Sequence, residues 1–403
     1  MTGRDDGRGA PGGDADWLVI CAAILAGVVT AMQIGKASAA LPALREGFGV
    51  GLADASLYFS LFSLGAALLS TGVGMVVLRI RPLRAGLTGL VLIGCGSLAG
   101  GMAEGWAGLL AARVIEALGL PLVVCAMPAL IQSCSSGRQR VLAMGFWAAW
   151  LPLGLASAMV IPVPWEAEGA WRQLFMICGV LPLVSAGYLL VISPRVRTHT
   201  SREIRQAAAG WPDAATVAAA VLFALFQGSY LAVQGFFPTI ALDAWSLDMT
   251  QAARLGGLSA LFVIIGNVAA SFLLSGQVSA AKLLVVSFAV MGVCALAFFF
   301  EPLPLSVRLG AVLIFITLAG VPPAVIWGLV PQLAARSGAG AAITAGAVYQ
   351  GAGTGQLVGP LVAGTAVDAM GNWSGGALVT TACSVVAIVI TVRFVGGLSE
   401  RPA

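Results

Sequence analysis

The chain has 403 residues, 59% of them hydrophobic and only 9% charged, with a mean hydropathy of +0.97 and a formal net charge of +4. Twenty-one basic and 17 acidic residues cannot coat a water-soluble globule of this size, and apolar runs repeatedly exceed the ~18 residues that mark a bilayer span. At about 20 residues per span the length accommodates roughly ten to twelve helices and leaves no room for a sizeable soluble catalytic or ATP-binding domain, so a multi-pass membrane protein is predicted.

Residues 1–16 are Gly-rich and carry Asp5, Asp6, Asp14 and Asp16 beside Arg4 and Arg8. Ala37-Ser38-Ala39 resembles a signal-peptidase site, but the acidic start and an apolar run from Trp17 to Ile34, longer than a signal peptide's core, argue for a retained first helix over 17–42. Further apolar runs lie at 54–78, 84–103, 107–132, 139–163 and 172–192. After the polar stretch Ser193–Asp213 come 214–241, 252–276, 281–300, 306–334, 341–367 and 375–395. The expected architecture is all-α. An N-terminal six-helix bundle (17–192) and a C-terminal one (214–395) are joined by a central loop (193–213), with tails at 1–16 and 396–403. Pro322 and Pro323 predict a kink inside 306–334.

Orientation follows from the loop charges. With twelve spans, Arg4, Arg8, Arg79, Arg81, Arg84, Arg138, Arg140, Arg195, Arg197, Arg202, Arg205, Lys282, Arg336, Arg393 and Arg401 fall on the side of the termini, against Arg45, Arg172, Arg254 and Arg308 opposite. Both termini and the central loop are therefore expected to be cytoplasmic, in the cytoplasmic (inner) membrane. The net positive charge reads as topology, not as nucleic-acid binding. The seven cysteines form no C-x-x-C, and the only histidine, His199, lies in the polar stretch. No disulfide framework, metal site or cofactor is expected.

The two halves repeat. Leu41-Pro42-Ala43-Leu44 at the end of the first span corresponds to Phe237-Pro238-Thr239-Ile240 at the end of the seventh, and Gly65 falls on Gly266. The spacing Gly145 to Gly154 recurs as Gly346 to Gly355, and Trp171 matches Trp373. The fifth and eleventh spans are thus one element used twice, and duplicated halves are how many secondary transporters are built.

Six plus six helices, a charged central loop and this repeat resemble the major facilitator superfamily over nearly the whole chain. Gly35 to Arg45, with Lys36 and Pro42, looks like the first-helix end of members related to the cyanate-permease branch. Arg113 with Gly119 is similar to the family's fourth-helix motif, whose arginine faces the central cavity. Arg140 to Gly154, then Trp171-Arg172, resembles the fifth helix and the entry to the sixth in that branch, and Gly359-Pro360 with Asp368 resembles the eleventh. The family's loop between the second and third helices usually carries an Asp-Arg latch. Aligning Gly74 puts Leu78 at the acidic position, Arg79 at the basic one and Arg81 at a later glycine, so the acidic partner is missing and Arg79 and Arg81 are the gating candidates. The antiporter-type glycine-proline signature is incomplete, with Trp150-Leu151-Pro152-Leu153-Gly154 in its place.

Ionisable side chains inside a span cost ~2.5 to 3.5 kcal/mol to insert and mark function. Lys36, Arg113 and Glu116 stand out. Lys36 lies ~9 Å inside the end of its span, at 1.5 Å per residue. It either snorkels to the interface or, with Gln33, Ala37 and Ala40 on its face, lines a wet cavity and attracts an anion. Arg113 and Glu116, three apart on one helix face, either form a plain buried pair or divide two tasks: Arg113 holds substrate charge while Glu116 carries a proton. Gln33, Gln227, Tyr230, Gln234, Tyr349 and Gln350 complete the substrate-binding candidates, with Asn267 and Gln356 as further polar groups. The amides serve equally well as glue between helices. Trp147, Trp150 and Trp327 either wall the site or pack, and the Gly-x-x-x-Gly pairs Gly96/Gly100, Gly351/Gly355 and Gly355/Gly359 let helices approach closely.

Gly35-Lys36-Ala37 lacks a P-loop's first glycine and final Ser or Thr, Gly94 to Ala99 matches a dinucleotide pattern only in letters, and G-x-S-x-G is absent. An enzyme is not expected. The sequence predicts secondary active transport of a small solute, an organic or inorganic anion, by alternating access. The alternative is proton-coupled efflux of amphipathic drugs or metabolites. The expected partners are an anionic small molecule, protons and the lipid bilayer, with no nucleic acid. The resemblance implies that one chain suffices.

Overall fold

A computed structural model describes residues 15–79, 81–165, 167, 169–195, 211–339 and 341–395. In the first bundle are α1 (Trp17–Phe48), α2 (Leu52–Leu61, continued by Leu64–Arg79), α3 (Pro82–Gly101), α4 (Trp106–Ser133), α5 (Gly137–Trp147, continued by Trp150–Met159) and α6 (Ala170–Ile192). In the second are α7 (Ala214–Gln234, continued by Phe237–Trp245), α8 (Met249–Ala260, continued by Phe262–Ser275), α9 (Ala280–Phe299), α10 (Leu305–Leu318, continued by Val321–Ser337), α11 (Ala341–Met370) and α12 (Ser374–Ile390). Eleven of these are long and apolar enough to cross a membrane. The twelfth, α11, has 30 residues but carries six glycines with Gln350, Thr354 and Gln356, because it packs against other helices and faces little lipid.

Helix ends follow the local chemistry. The carboxylates of Asp16, Asp213 and Asp248 and the hydroxyl of Ser279 accept from backbone N–H groups in the first turns of α1, α7, α8 and α9. Gly49, at φ +64°, closes α1 with a left-handed residue that a side chain would strain. Pro42 is carried inside α1, which runs on to Phe48 rather than ending at 42. The kink expected from Pro322 and Pro323 is a full interruption of α10 around Gly320, with proline in the first turn of the second segment, where its missing N–H costs nothing.

The repeat is visible as packing. A Cβ on Gly65 of α2 would lie 2.1 Å from the Ala117 carbonyl oxygen of α4, and one on Gly266 of α8 would lie 1.7 Å from that of Thr317 in α10. These are the same contact in the two bundles, at the glycines that the repeat aligns. Likewise Gly154 of α5 meets Ala31 and Val28 of α1, and Gly355 of α11 meets Ala224 of α7. On that last interface Gly351, Gly355 and Gly359 seat against Ala220, Ala224 and Gly228 turn by turn, the close approach expected of the Gly-x-x-x-Gly pairs.

Twelve crossings put both ends of the chain at one end of the molecule, and the bundles meet firmly at the other. There the Ser38 hydroxyl donates to the Gly235 carbonyl at 2.5 Å, Arg45 pairs with Asp243 at 3.5 Å, and Asp368 of α11 accepts from the Ala53 N–H in the first turn of α2 at 2.8 Å. Gly257 of α8 packs on Met159 of α5. Ser63 to Gln356 and Thr71 to Gln350 continue the contact between α2 and α11. Toward the terminal end, α5 and α8 leave a crevice lined by Gly145, Ala148, Ala149, Pro152, Val263 and Asn267.

The far seal thus sets two carboxylates of the second bundle against an arginine and a positive helix end of the first. Asp243→Asn combined with Asp368→Asn is expected to widen it. Spin labels at Gly47 and Gln251, in a background without the native cysteines, should show a longer-distance population in that variant. An unchanged distance distribution would mean that packing alone holds the seal.

Candidate functional site

The three ionisable residues singled out in the spans converge within the first bundle. Lys36 is fully buried, with Glu116 and Arg113 each 1% exposed. The Lys36 ammonium donates to Glu116 Oε1 at 2.6 Å and to Ser97 Oγ at 2.5 Å, and lies 4.4 Å from the centre of the Phe175 ring. The other carboxylate oxygen, Oε2, accepts from Arg113 at 2.6 Å. One carboxylate therefore serves two cations, an oxygen for each.

Arg113 is held on every side. Its guanidinium donates to the carbonyls of Gln33 at 3.0 Å, Tyr58 at 3.3 Å and Phe59 at 3.5 Å, and it lies 4.9 and 4.7 Å from the Tyr58 and Phe62 ring centres. Cation–π contacts in a desolvated setting add to the hydrogen bonds. The Ser97 hydroxyl in turn donates to the Phe175 carbonyl at 2.9 Å. Helices α1, α2, α3, α4 and α6 thus meet at one charged knot. Small residues admit it: a Cβ on Gly96 of α3 would fall 2.7 Å from Glu116 Cγ.

Formally the knot carries two positive charges and one negative. In an interior of low dielectric this excess is strongly felt, because the attraction between unit charges 4 Å apart is ~4 kcal/mol even at an effective dielectric constant of 20. Among the described residues no other carboxylate is buried. Removing either cation leaves a neutral pair, whereas removing the carboxylate leaves two cations with nothing between them.

The polar candidates divide. Gln33 donates its amide to the Cys178 carbonyl at 2.8 Å and leaves Oε1 buried without a partner. Gln227 Oε1 and the hydroxyls of Tyr230 and Tyr349 are likewise buried and unpartnered. Gln234 instead ties α7 to α8, donating to the Gly256 carbonyl at 2.7 Å and accepting from Ser259. Gln350 accepts from Thr71 and Gln356 from Ser63, so both join the two bundles. Trp147 and Trp150 stack on each other 5.5 Å apart, Trp147 against Gly27, while Trp327 is 40% exposed. Arg81 is exposed at the start of α3, and the side chain of Arg79 lies outside the described residues.

Ser97, Tyr58 and Phe175 belong to the site and were not anticipated from the sequence. Ser97 had a weak signal, as a hydroxyl beside Gly96 deep in a mostly apolar span. Tyr58 and Phe175 had none, since an aromatic residue in a span most often packs. No group of three or more His, Cys, Asp and Glu among the described residues stands ready to hold a metal ion.

The profile of the Major Facilitator Superfamily matches residues 23–354. The arabinose-proton symporter of Escherichia coli strain K12 is 24% identical over 191 residues, covering 46% of this chain and 40% of the symporter. The galactose-proton symporter of the same strain is 23% identical over 175 residues, covering 43% and 38%. The chain thus spans about two fifths of the length of these curated relatives. Two solved structures of a bacterial homologue of the human lysosomal transporter Spinster, both inward-facing, share the fold at 15% identity. The occupied form gives a TM-score of 0.69 and covers 95% of this chain and 96% of its own. The unoccupied form gives 0.70, covering 96% and 97%.

Proposed function

The chain belongs to the major facilitator superfamily, and from that premise we propose that it moves a small organic or inorganic anion together with protons across the cytoplasmic membrane. That it is a multi-pass secondary transporter and not an enzyme follows from the family and from the transporters it is similar to. The anion, the proton and the residues that handle them rest on one observation, the buried set of Lys36, Arg113 and Glu116.

The charge arithmetic of that set carries the mechanism. At rest it bears one net positive charge. An anion that takes Glu116's place on Lys36 or Arg113 frees the carboxylate to carry a proton. Lys36 and Arg113 remain charged, Glu116 becomes neutral and the anion brings one negative charge, so the net charge is again one positive. Binding of a monovalent anion with one proton leaves the buried charge unchanged, whereas a proton alone would leave two positive charges with nothing between them, so proton uptake waits on the anion. Coupling is thereby built into the site, and the two bundles then carry the loaded site across by rocking about it.

The proton symporters among the relatives support the proton step. The likeness of Gly35 to Arg45 to the cyanate-permease branch supports the anion. The excess of Lys and Arg in the loops at the terminal end supports cytoplasmic termini, bundles at 17–192 and 214–395 about a cytoplasmic loop at 193–213, and tails at 1–16 and 396–403. On that orientation the sealed end faces outward. Because the charged set lies within one bundle of one chain, a monomer is sufficient. A rival reading, proton-coupled export of amphipathic compounds, draws on the apolar crevice between α5 and α8.

The test is uptake of radiolabelled small anions into proteoliposomes, with and without a pH gradient. Lys36→Ala leaves Arg113 and Glu116 as a neutral buried pair, so the variant should fold and lose on the order of a hundredfold in anion uptake, about 2.7 kcal/mol and within the ~4 kcal/mol of the charge term. Normal transport by Lys36→Ala would overturn the reading and move the amphipathic-export alternative ahead.

A further inference from the structure

We propose that the crevice between α5 and α8 is a lipid site, holding one acyl chain of a bilayer phospholipid where the matching seam across the molecule is filled by the protein's own side chains. The proposal stands apart from the anion–proton reading. Two seams join the bundles, α2 with α11 and α5 with α8. The repeat makes them equivalent, since it aligns Gly145 and Gly154 of α5 with Gly346 and Gly355 of α11, and Gly65 of α2 with Gly266 of α8. The structure packs them unequally.

The α2–α11 seam is shut toward the terminal end. A Cβ on Gly346 would lie 3.1 Å from Thr71 Cα and one on Gly353 2.6 Å from the Ala66 backbone, while Gln350 between them accepts from the Thr71 hydroxyl. In the α5–α8 seam a Cβ on Gly145, the counterpart of Gly346, would meet nothing within 4 Å. Where α11 carries Tyr349 and Gln350, α5 carries Ala148 and Ala149, and both alanines line the crevice. Toward the far end the same two helices close, with Gly257 of α8 packed on Met159 of α5. The gap is thus confined to the stretch where α5 presents glycine and alanine.

Depth and surroundings set the occupant. Gly145 lies eight residues from the start of α5 and Asn267 eight from the end of α8, so the crevice is ~12 Å inside the terminal end of both helices. A headgroup layer is only ~5–8 Å deep, so this level belongs to the hydrocarbon. The crevice is continuous with the lipid-facing surface: Phe146 beside it is 59% exposed and Ile265 57%. Asn267 is the one polar side chain among the described lining residues, and a buried water needs two or more polar partners. Val263 and Ile264 instead offer an acyl chain dispersion contacts. A chain bound there fills the void and keeps the terminal ends of α5 and α8 apart.

Photolabelling of the purified full chain in vesicles of phosphatidylethanolamine and phosphatidylglycerol tests this. The probe is phosphatidylethanolamine with a diazirine midway along one acyl chain, added at trace level, and its adducts are mapped by mass spectrometry. Adducts on Ala148, Ala149 and Asn267 are expected to exceed several-fold those on Val385 and Val389, which are exposed on the open face of α12. Ala148→Tyr combined with Ala149→Gln gives α5 the side chains of α11 and should bring the crevice adducts down to the α12 level while those on α12 persist. Gly145→Leu fills the space from a position where the added carbon meets nothing, so the fold is kept, and it should do the same. Crevice adducts at the α12 level in the wild type, or undiminished in a folded variant of either kind, overturn the proposal. Labelling of the same residues by 4-benzoylbenzylamine, an amphipathic amine with no acyl chain, and not by the phospholipid overturns it too and marks the crevice as a route for cargo.

Discussion

Glu116→Gln is expected to abolish accumulation of the anion driven by a pH gradient, a loss of a hundredfold or more, while exchange of anion for anion continues. The reason is the arrangement of the two cations about one carboxylate. Glutamine keeps the shape and accepts one hydrogen bond, but it takes up no proton and neutralises neither cation. The site then holds two buried positive charges in its empty state, and breaking a buried pair in this way costs on the order of 3–5 kcal/mol. An anion is now needed to compensate them. The variant should accordingly have a depressed melting temperature that added anion restores, bind anion more tightly than wild type, and release it only against another anion. Its affinity should no longer depend on pH around the coupling step. Fluxes into proteoliposomes and melting curves with and without anion check all of these. Accumulation at the wild-type level in Glu116→Gln would remove Glu116 from the proton pathway.

Gly266→Leu is expected to leave little folded protein. A Cβ at Gly266 falls 1.7 Å from the Thr317 carbonyl oxygen, and the Gly320 backbone stands close behind it. The obstacle is main chain on α10, which cannot turn away as a flexible side chain would. Overpacking of a tight core commonly costs ~1–3 kcal/mol, and contact with backbone puts this substitution at or above the top of that range. Gly310→Ala, where nothing stands within 4 Å of the added carbon, is the control and should be near neutral. Yield of monodisperse protein by size-exclusion chromatography distinguishes the two. A well-folded Gly266→Leu would mean that α8 and α10 stand further apart than described. Gly65→Leu, at the matching contact in the first bundle, should repeat the result if the halves are packed alike.

The helices were legible in the sequence because the bilayer imposes one requirement on every span, enough apolar residues to cross it. The apolar runs at 84–103, 107–132 and 172–192 find α3, α4 and α6 within a few residues. The interruptions of α2 and α8 were not legible. Neither break, at Phe62-Ser63 in α2 and at Leu261 in α8, carries a proline that would mark it. At α10 the proline pair was a local signal and was readable. Gly65 and Gly266 were found as a repeated letter, but that both mark a helix in contact with another's backbone is a fact about partners that are distant in sequence.

The charged set divides in the same way. Arg113 and Glu116 lie three apart on one helix, so helical geometry alone puts them within pairing reach, and they do pair. Lys36 stands 80 residues from Glu116, and the sequence left its ammonium to snorkel or to line a cavity. Only the approach of α1, α3 and α4, made possible by small residues such as Gly96, carries it onto the carboxylate. Among the amides, Gln33 and Gln227 keep an unpartnered oxygen whereas those of Gln234 and Gln350 accept from hydroxyls on neighbouring helices, although all four are the same residue type in similar apolar settings. By itself the sequence determined what depends on composition and on neighbours within a turn: a membrane protein of twelve helices, its repeat, and which ionisable groups lie within the spans. The tertiary structure decided which of those groups meet, because desolvation makes a buried charge or amide seek whatever partner the packing of other helices brings within hydrogen-bond reach.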